Sequence, residues 1–404
     1  MQVPSIDATH LEAGTRAYRR ANFAMFLGGF ACFAMLYATQ PLLPLFADIF
    51  GVTSTHASLS VSFGTGALAL ALIPASLLSD RFGRLTVMRW GLALSALMAL
   101  LVPFVQSFDA LLVLRALLGL CLAGLPAAAM AYLGEEVAPS AQGRAMGLYI
   151  AGNAFGGMSG RFLSAGITDL SDWRTGLFCI GLVGALAAAA FFYALPESRH
   201  FRRRSIRLDA VWRDTCALYR DAGLPWLFMC AFLLMGAFVA LYNFLTFRLA
   251  GAPFELGQTA IGAIFLLYLV GTWASAWAGQ LADRIGRRNV LWMMVVLMIV
   301  GVLLTAVHWL PGVIVGIGVF TLGYFGAHTT CSGWVSRRAG GSRALAAAIY
   351  LSSYYLGSSV LGSSVGFAWD HGAWPAVVAV LVSLSAAVLG IAFHLRRIPK
   401  AGSA

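Results

Sequence analysis

The sequence predicts an all-α membrane protein of twelve transmembrane helices in two six-helix halves, and three observations carry that prediction. The 404 residues are 60% hydrophobic and 11% charged with a mean hydropathy of +0.82, a balance that no water-soluble domain of this length tolerates on its surface. Crossing ~30 Å of hydrocarbon takes about 20 mostly apolar residues, and runs of that length recur along the chain with short polar breaks. Finally, the string Asp80-Arg81-Phe82-Gly83-Arg84 returns as Asp283-Arg284-Ile285-Gly286-Arg287-Arg288, 203 positions later, so one half is written twice.

A second pair of segments supports the duplication independently. Tyr149, Asp169 and Trp173 match Tyr350, Asp370 and Trp374, all at an offset of 201. Soluble repeat arrays show many short units, whereas two large membrane-borne halves suit transporter construction.

The predicted elements follow in order. Residues 1–21 form a polar amino-terminal segment whose Arg16, Arg19 and Arg20 resemble the start of a signal peptide; the apolar run after them, 22–43, is too long for one and lacks a cleavage site, so it is span 1. Spans 2 to 6 are placed at 57–79, 87–106, 111–133, 145–167 and 175–195. Spans 7 to 12 are placed at 225–248, 258–281, 290–309, 312–333, 344–367 and 375–394. The halves are therefore 22–195 and 225–394, joined by a loop over 196–224 and followed by a tail at 395–404. All lysine and arginine residues except Arg115, Arg161, Arg174 and Arg248 fall in alternate loops and at the termini, which puts both termini in the cytoplasm.

Within the joining loop, Leu208, Val211, Trp212, Thr215 and Tyr219 follow the arginines 199–207 at helical spacing. They predict an amphipathic helix on the inner membrane surface, or equally a solvated linker whose charge sets topology. The net charge of +11 does not point to nucleic acid, because the basic residues form no face with interleaved aromatics. The six cysteines lack CxxC spacing and read as free thiols. No metal or cofactor is expected, and Met229, Cys230 and Met235 do not have a spacing that gathers three ligands.

The loop string Gly279, Asp283, Arg284, Gly286, Arg287, Arg288 resembles the G-x-x-x-D-R-x-G-R-R signature of the major facilitator superfamily, and the likeness covers spans 1 to 12. The first copy, Asp80, Arg81, Gly83, Arg84, departs from it with Ser76 and Leu85. Arg115, Gly119 and Gly124 resemble the R-x-x-x-G motif of the twelve-span drug and sugar efflux branch, and Gly152, Asn153, Gly156, Gly157 and Gly160 resemble its antiporter motif without the usual proline. YLGEEVAPS, GLYIAGNAFGGMSGR, LPESRHF and YYLGSS are similar to the YnfM-like inner-membrane transporters. This resemblance implies the major facilitator fold, a monomer in the inner membrane, and proton-coupled efflux of a small organic compound. Uptake or uncoupled passage remains an alternative, as does a non-transporting receptor, although no polar stretch is long enough for a soluble domain. Clustered catalytic groups that would make a membrane enzyme are absent, and Glu135-Glu136 reads as a loop.

The candidate residues fall into three sets. Asp80 and Asp283 are expected to dock on a neighbouring helix N-terminus and adjacent arginines when the inner side closes, Gly83 and Gly286 to allow the turn, and Gly279 to allow close helix approach. Arg115 lies deep enough in span 4 to face the bundle, and the resemblance gives it a part in proton coupling; Arg161 and His328 are further coupling candidates, with snorkelling and a backbone-bonded imidazole as their bland readings. Tyr37, Gln40, Asn153, Tyr242, Asn243, Thr272, Trp273 and Tyr354 are the mid-membrane polar residues. With no Asp or Glu mid-span, the cavity suits a neutral or anionic amphipathic substrate rather than an organic cation.

Overall fold

A computed structural model describes residues 10–203 and 208–398. Arg204, Arg207 and Lys400 of the predicted basic segments, the first nine residues of 1–21 and the side chain of Leu208 lie outside the described residues. Among the described residues, eleven segments are long and apolar enough to cross a membrane. The twelfth crossing is the 32-residue helix Pro139–Leu170, whose glycines and Arg161 dilute its apolar character while leaving its length ample.

The helices exceed the predicted spans at most ends, because loop-proximal turns persist beyond the apolar run. Span 1 is Arg16–Tyr37, a short turn at Gln40–Leu42 and Leu43–Phe50, bent where Pro41 and Pro44 remove backbone donors. Spans 2 and 3 are Ser54–Phe82 and Arg84–Leu101; span 4 is Phe108–Leu122 continued by Gly124–Glu136. Span 5 is Pro139–Leu170 and span 6 Trp173–Ala194. The second half has Leu224–Ala250, then span 8 as Gln258–Ala263 and Tyr268–Ile285 joined by a 3-10 turn, then Arg287–Leu304, Leu310–Arg338 and Arg343–Ser364. Span 9 stops at Leu304, short of the predicted 309, and span 12 lies within Gly366–Arg397, broken at Ala373 (φ 50°) just before Trp374-Pro375.

Antiparallel succession puts both termini and the two signature loops at one end, called proximal here, and the loops between odd and even spans at the other, distal end. The duplication reappears as packing. Gly156 of span 5 meets the backbone of Phe30 in span 1 so closely that a Cβ would collide with its carbonyl oxygen, and Gly357 of span 11 meets Phe232 of span 7 the same way, at offsets of 201 and 202. In the first half Gly152 and Gly160 extend this into a ladder against Phe26 and Ala34, whereas the matching positions in span 11 are Ser353 and Leu361. Bilayer packing without a hydrophobic drive rewards such small-residue seams.

The predicted amphipathic helix is present as Leu208–Arg220. Leu218 is buried and the Tyr219 ring packs 5.6 Å from Phe228, so the helix leans on the second half, with Trp212 exposed.

Candidate functional site between the halves

Among the described residues, the hydrogen bonds between the two halves lie in the distal part of the bundle and, for Gln40 and Asn243, at its centre. Ser58 Oγ donates to Ser363 Oγ at 2.8 Å, Ser62 Oγ lies 2.5 Å from the same oxygen, and Ser359 Oγ donates to the Ser62 carbonyl at 2.8 Å. Gly66, twelve residues into span 2 and hence ~18 Å from its distal start, is the deepest of these contacts, touching Ser359.

At the distal rim two clamps sit at related positions. Asp169 Oδ2, at the end of span 5, accepts from Thr259 Oγ1 at 2.6 Å and Thr259 N at 3.3 Å, and so caps the start of span 8. Asp370 Oδ2, entering span 12, accepts from Thr55 Oγ1 at 2.5 Å in the first turn of span 2. The two aspartates are the pair matched at an offset of 201, and each places negative charge at the N-terminus of a helix of the opposite half, where the helix dipole favours it. Beside the Asp370 clamp an open cleft of about 690 Å³ is lined by Asp48, Thr53, Phe247, Trp369 and Asp370 itself.

Beneath the rim lies the centre of the molecule. Arg161, 2% exposed, donates from Nε to Gln40 Oε1 at 2.6 Å and from Nη1 to the Gly157 carbonyl at 2.6 Å. Gln40 Nε2 donates to Asn243 Oδ1 at 2.8 Å, and Asn243 Nδ2 to the Gly362 carbonyl at 2.9 Å, so a polar chain crosses from span 5 through span 1 to spans 7 and 11. The guanidinium carbon lies 4.0 Å from the Tyr37 ring centroid, 5.0 Å from Tyr268 and 5.1 Å from Phe265. From there rings continue through Tyr242, Phe238 and Tyr324, whose hydroxyl bonds Tyr354 Oη at 2.8 Å. His328 closes this belt: its Nδ1 is 3.0 Å from Tyr350 Oη and its ring 4.8 Å from that of Tyr354.

Five of the expected residues, Tyr37, Gln40, Arg161, Tyr242 and Asn243, therefore meet at the centre, with Tyr354 and His328 beside them in the second half. Arg161 is no snorkelling side chain, because span 5 turns it onto span 1 and the facing half. Asn153 instead packs against Gly29 of span 1. Trp273 stacks on Trp277 (centroids 5.7 Å apart), and Trp277 is nine positions beyond Tyr268, on the opposite face at 100° per residue, so this pair points away from Arg161. Thr272 bonds only its own helix, to the Tyr268 carbonyl.

Arg115 faces the bundle, as expected from its depth, and serves the packing of its own half. It is 2% exposed inside the first half, donating from Nε to the Ser60 carbonyl at 2.8 Å, from Nη1 to Met35 at 2.9 Å and from Nη2 to Leu36. Met35 and Leu36 lie in the last turn of Arg16–Tyr37, whose carbonyls have no helical partner, so Arg115 caps the bend in span 1. Arg248 does the same for the end of span 9 through the Thr305 and Val307 carbonyls.

At the proximal end the signature loops turn at Gly83 (φ 102°) and Gly286 (φ 86°), which glycine adopts freely. Asp80 pairs with Arg84 at 2.6 Å, and Arg84 also grips Glu135 at 3.0 Å, so Arg84 sits between two carboxylates. The second copy reverses the charges: Asp283 sits between Arg287 at 3.5 Å and Arg337 at 3.6 Å. Arg288 bonds the Arg396 carbonyl at 3.0 Å, while Arg81 lies over the Phe82 ring. Arg284 falls in the last turn of span 8. Two expectations need correction. Glu135 and Glu136 end a helix rather than forming a loop, Glu136 accepting from Ser198 at 2.5 Å and His200 N at 2.9 Å. A Cβ on Gly279 would meet nothing within 4 Å, so Gly279 permits no close approach here, because the signature loops of the two halves are apart.

Sequence reasoning missed the serine seam and gave the two distal aspartates no role. The signal was present in Ser58, Ser60 and Ser62 at alternate positions and in Ser358, Ser359, Ser363 and Ser364, hydroxyls too numerous for a lipid-facing surface.

The family model described as Major Facilitator Superfamily matches residues 25–360. The chain belongs to that superfamily. It is 40% identical over 388 residues to "Inner membrane transport protein YnfM" of Escherichia coli, covering 96% of this chain and 93% of the relative. It is 39% identical over 389 residues to "Uncharacterized MFS-type transporter YybF" of Bacillus subtilis, covering 96% of each. Among solved structures it is similar to a bacterial homologue of the human lysosomal transporter Spinster, described as inward-facing and occupied (TM-score 0.81, 14% identity, 95% of this chain and 98% of that one). It is also similar to the nucleoside transporter NupG (TM-score 0.74, 15% identity, 93% and 99%). The transporter thus has the twelve-helix fold expected from its sequence, and works on a small molecule across a membrane.

Proposed function

We propose that the transporter expels a small amphipathic compound, neutral or anionic, across the inner membrane in exchange for protons, by alternating access between its halves. Both termini are then cytoplasmic, the distal rim is the outer gate, and the described conformation is open to the inside. The observation that carries this reading is the one-sided closure: related aspartate clamps and a serine seam join the halves distally, while the charged signature loops pair only within their own halves. Rocking the halves to break the distal seam would bring those loops together, with Arg84 and Arg337 facing carboxylates of either copy. His328 and the Arg161 centre are the groups placed to meet substrate and proton. The test is flux of labelled amphipathic compounds from proteoliposomes. Outward flux that rises with an opposing proton gradient and stops when it is collapsed supports exchange; flux indifferent to the gradient replaces exchange with uncoupled passage, and absence of flux for any compound removes the reading.

A further inference from the structure

Within the cross-half polar chain, the guanidinium of Arg161 is incompletely used. Nε and Nη1 have acceptors, but Nη2 donates to nothing among the described residues. No carboxylate pairs with it either, so its charge faces only neutral oxygens and three ring faces. Burying a cation at membrane depth without a counter-charge is costly, and side chains kept under that cost mark binding sites and relays. A second pair of groups is idle beside it. Tyr37, whose ring the guanidinium covers, has a hydroxyl within reach of Ser358 Oγ, yet neither oxygen forms a well-made hydrogen bond. Both residues are buried, Tyr37 at 2% and Ser358 at 0% exposure, where an unmade hydrogen bond carries a penalty.

We propose that the free edge of Arg161, with the Tyr37 and Ser358 hydroxyls, is the substrate's anion site, and that the cargo is a small planar aromatic monoanion such as an aromatic carboxylate. This rests on the transport reading above and sharpens its substrate class. A carboxylate takes parallel hydrogen bonds from a guanidinium edge, neutralises the buried charge, and brings its aromatic body beside the rings of Tyr37, Phe265 and Tyr268 that already pack on the guanidinium. Organic cations are rejected by the same charge. Because Gln40 accepts from Arg161 and donates to Asn243 of the other half, anion binding is felt at the link between the halves.

The test uses the full chain purified in detergent, with benzoate, its neutral isostere benzamide, and sodium chloride as probes, and reads binding as the shift in thermal unfolding midpoint. Benzoate is expected to bind at least ten-fold more tightly than benzamide and unlike chloride. Arg161→Gln should abolish that preference while leaving benzamide unchanged, Arg161→Lys should keep part of it, and Tyr37→Phe, which leaves the cage intact, should weaken benzoate several-fold. Equal binding of benzoate and benzamide, full benzoate binding in Arg161→Gln, or chloride reproducing the benzoate shift would each overturn the proposal. Binding is read apart from flux. A charge preference lost in Arg161→Gln, in a protein that moves no compound, leaves this site standing and removes transport; flux through a protein whose Arg161→Gln variant still binds benzoate in full removes the site and leaves transport.

Discussion

Replacing Asp169 and Asp370 together by alanine should push the transporter toward a state open at its distal end. Each clamp joins a solvent-exposed carboxylate to a threonine hydroxyl in the first turn of a helix of the other half, Asp169 also taking a backbone N–H. A charged hydrogen bond at such an exposed rim is worth a fraction of its buried value because water competes and salt screens it, and the helix terminus adds a few tenths of a kcal/mol; about 1 kcal/mol per clamp is a fair sum. Losing both removes about 2 kcal/mol from the distally closed state, a roughly 30-fold change in the open-to-closed ratio, and losing one about 5-fold. The two clamps share no residue, so their effects are expected to add. Spin labels at Gln106→Cys and His308→Cys, exposed loop positions at the distal ends of the two halves, in a background lacking the six native cysteines, report the separation directly. A longer-distance population should grow stepwise from wild type to single to double variant. A double variant with the wild-type distance distribution, or one in which only inner-end distances change, would refute the idea that these clamps hold the gate.

Other outcomes follow from the same geometry. Gly357→Ala should lower the unfolding midpoint by the equivalent of about 1–3 kcal/mol because its methyl has only the Phe232 backbone to push against; Gly279→Ala, open on all sides here, should leave the midpoint unchanged. Arg115→Ala strands the Met35 and Leu36 carbonyls at the bend of span 1 and the Ser60 carbonyl of span 2 and should cut the yield of folded protein in size-exclusion profiles, with Arg115→Lys intermediate, whereas a pure coupling role would spare folding. Partial burial would raise the Asp221 carboxyl, but Arg338, at 2.5 Å, and the N–H groups of Gly223 and Leu224 outweigh it and hold it below the usual carboxylate range. Its contribution is therefore present above about pH 4 and lost as pH falls further, so the midpoint difference between wild type and Asp221→Asn should fade over that acid range.

Composition and spacing determined much of this protein. An apolar length of about 20 residues counts the crossings whatever the packing, and the repeat of Asp80–Arg84 at Asp283–Arg288 announces two equivalent halves because each copy closes the same kind of loop. Gly152, Gly156 and Gly160, spaced by four along span 5, form the close helix seam, since only a missing side chain lets backbones touch. What the chain order could not separate were residues alike in local context. Arg115 and Arg161 are both arginines inside apolar runs, yet one caps a bend within its own half and the other stands between halves. That difference lies in which way each helix is rotated, and rotation is set by neighbours far along the chain: Gln40 meets Asn243 across 203 positions and Thr55 meets Asp370 across 315. Periodicity fixes which residues share a helix face, but only the assembled bundle fixes what that face looks at.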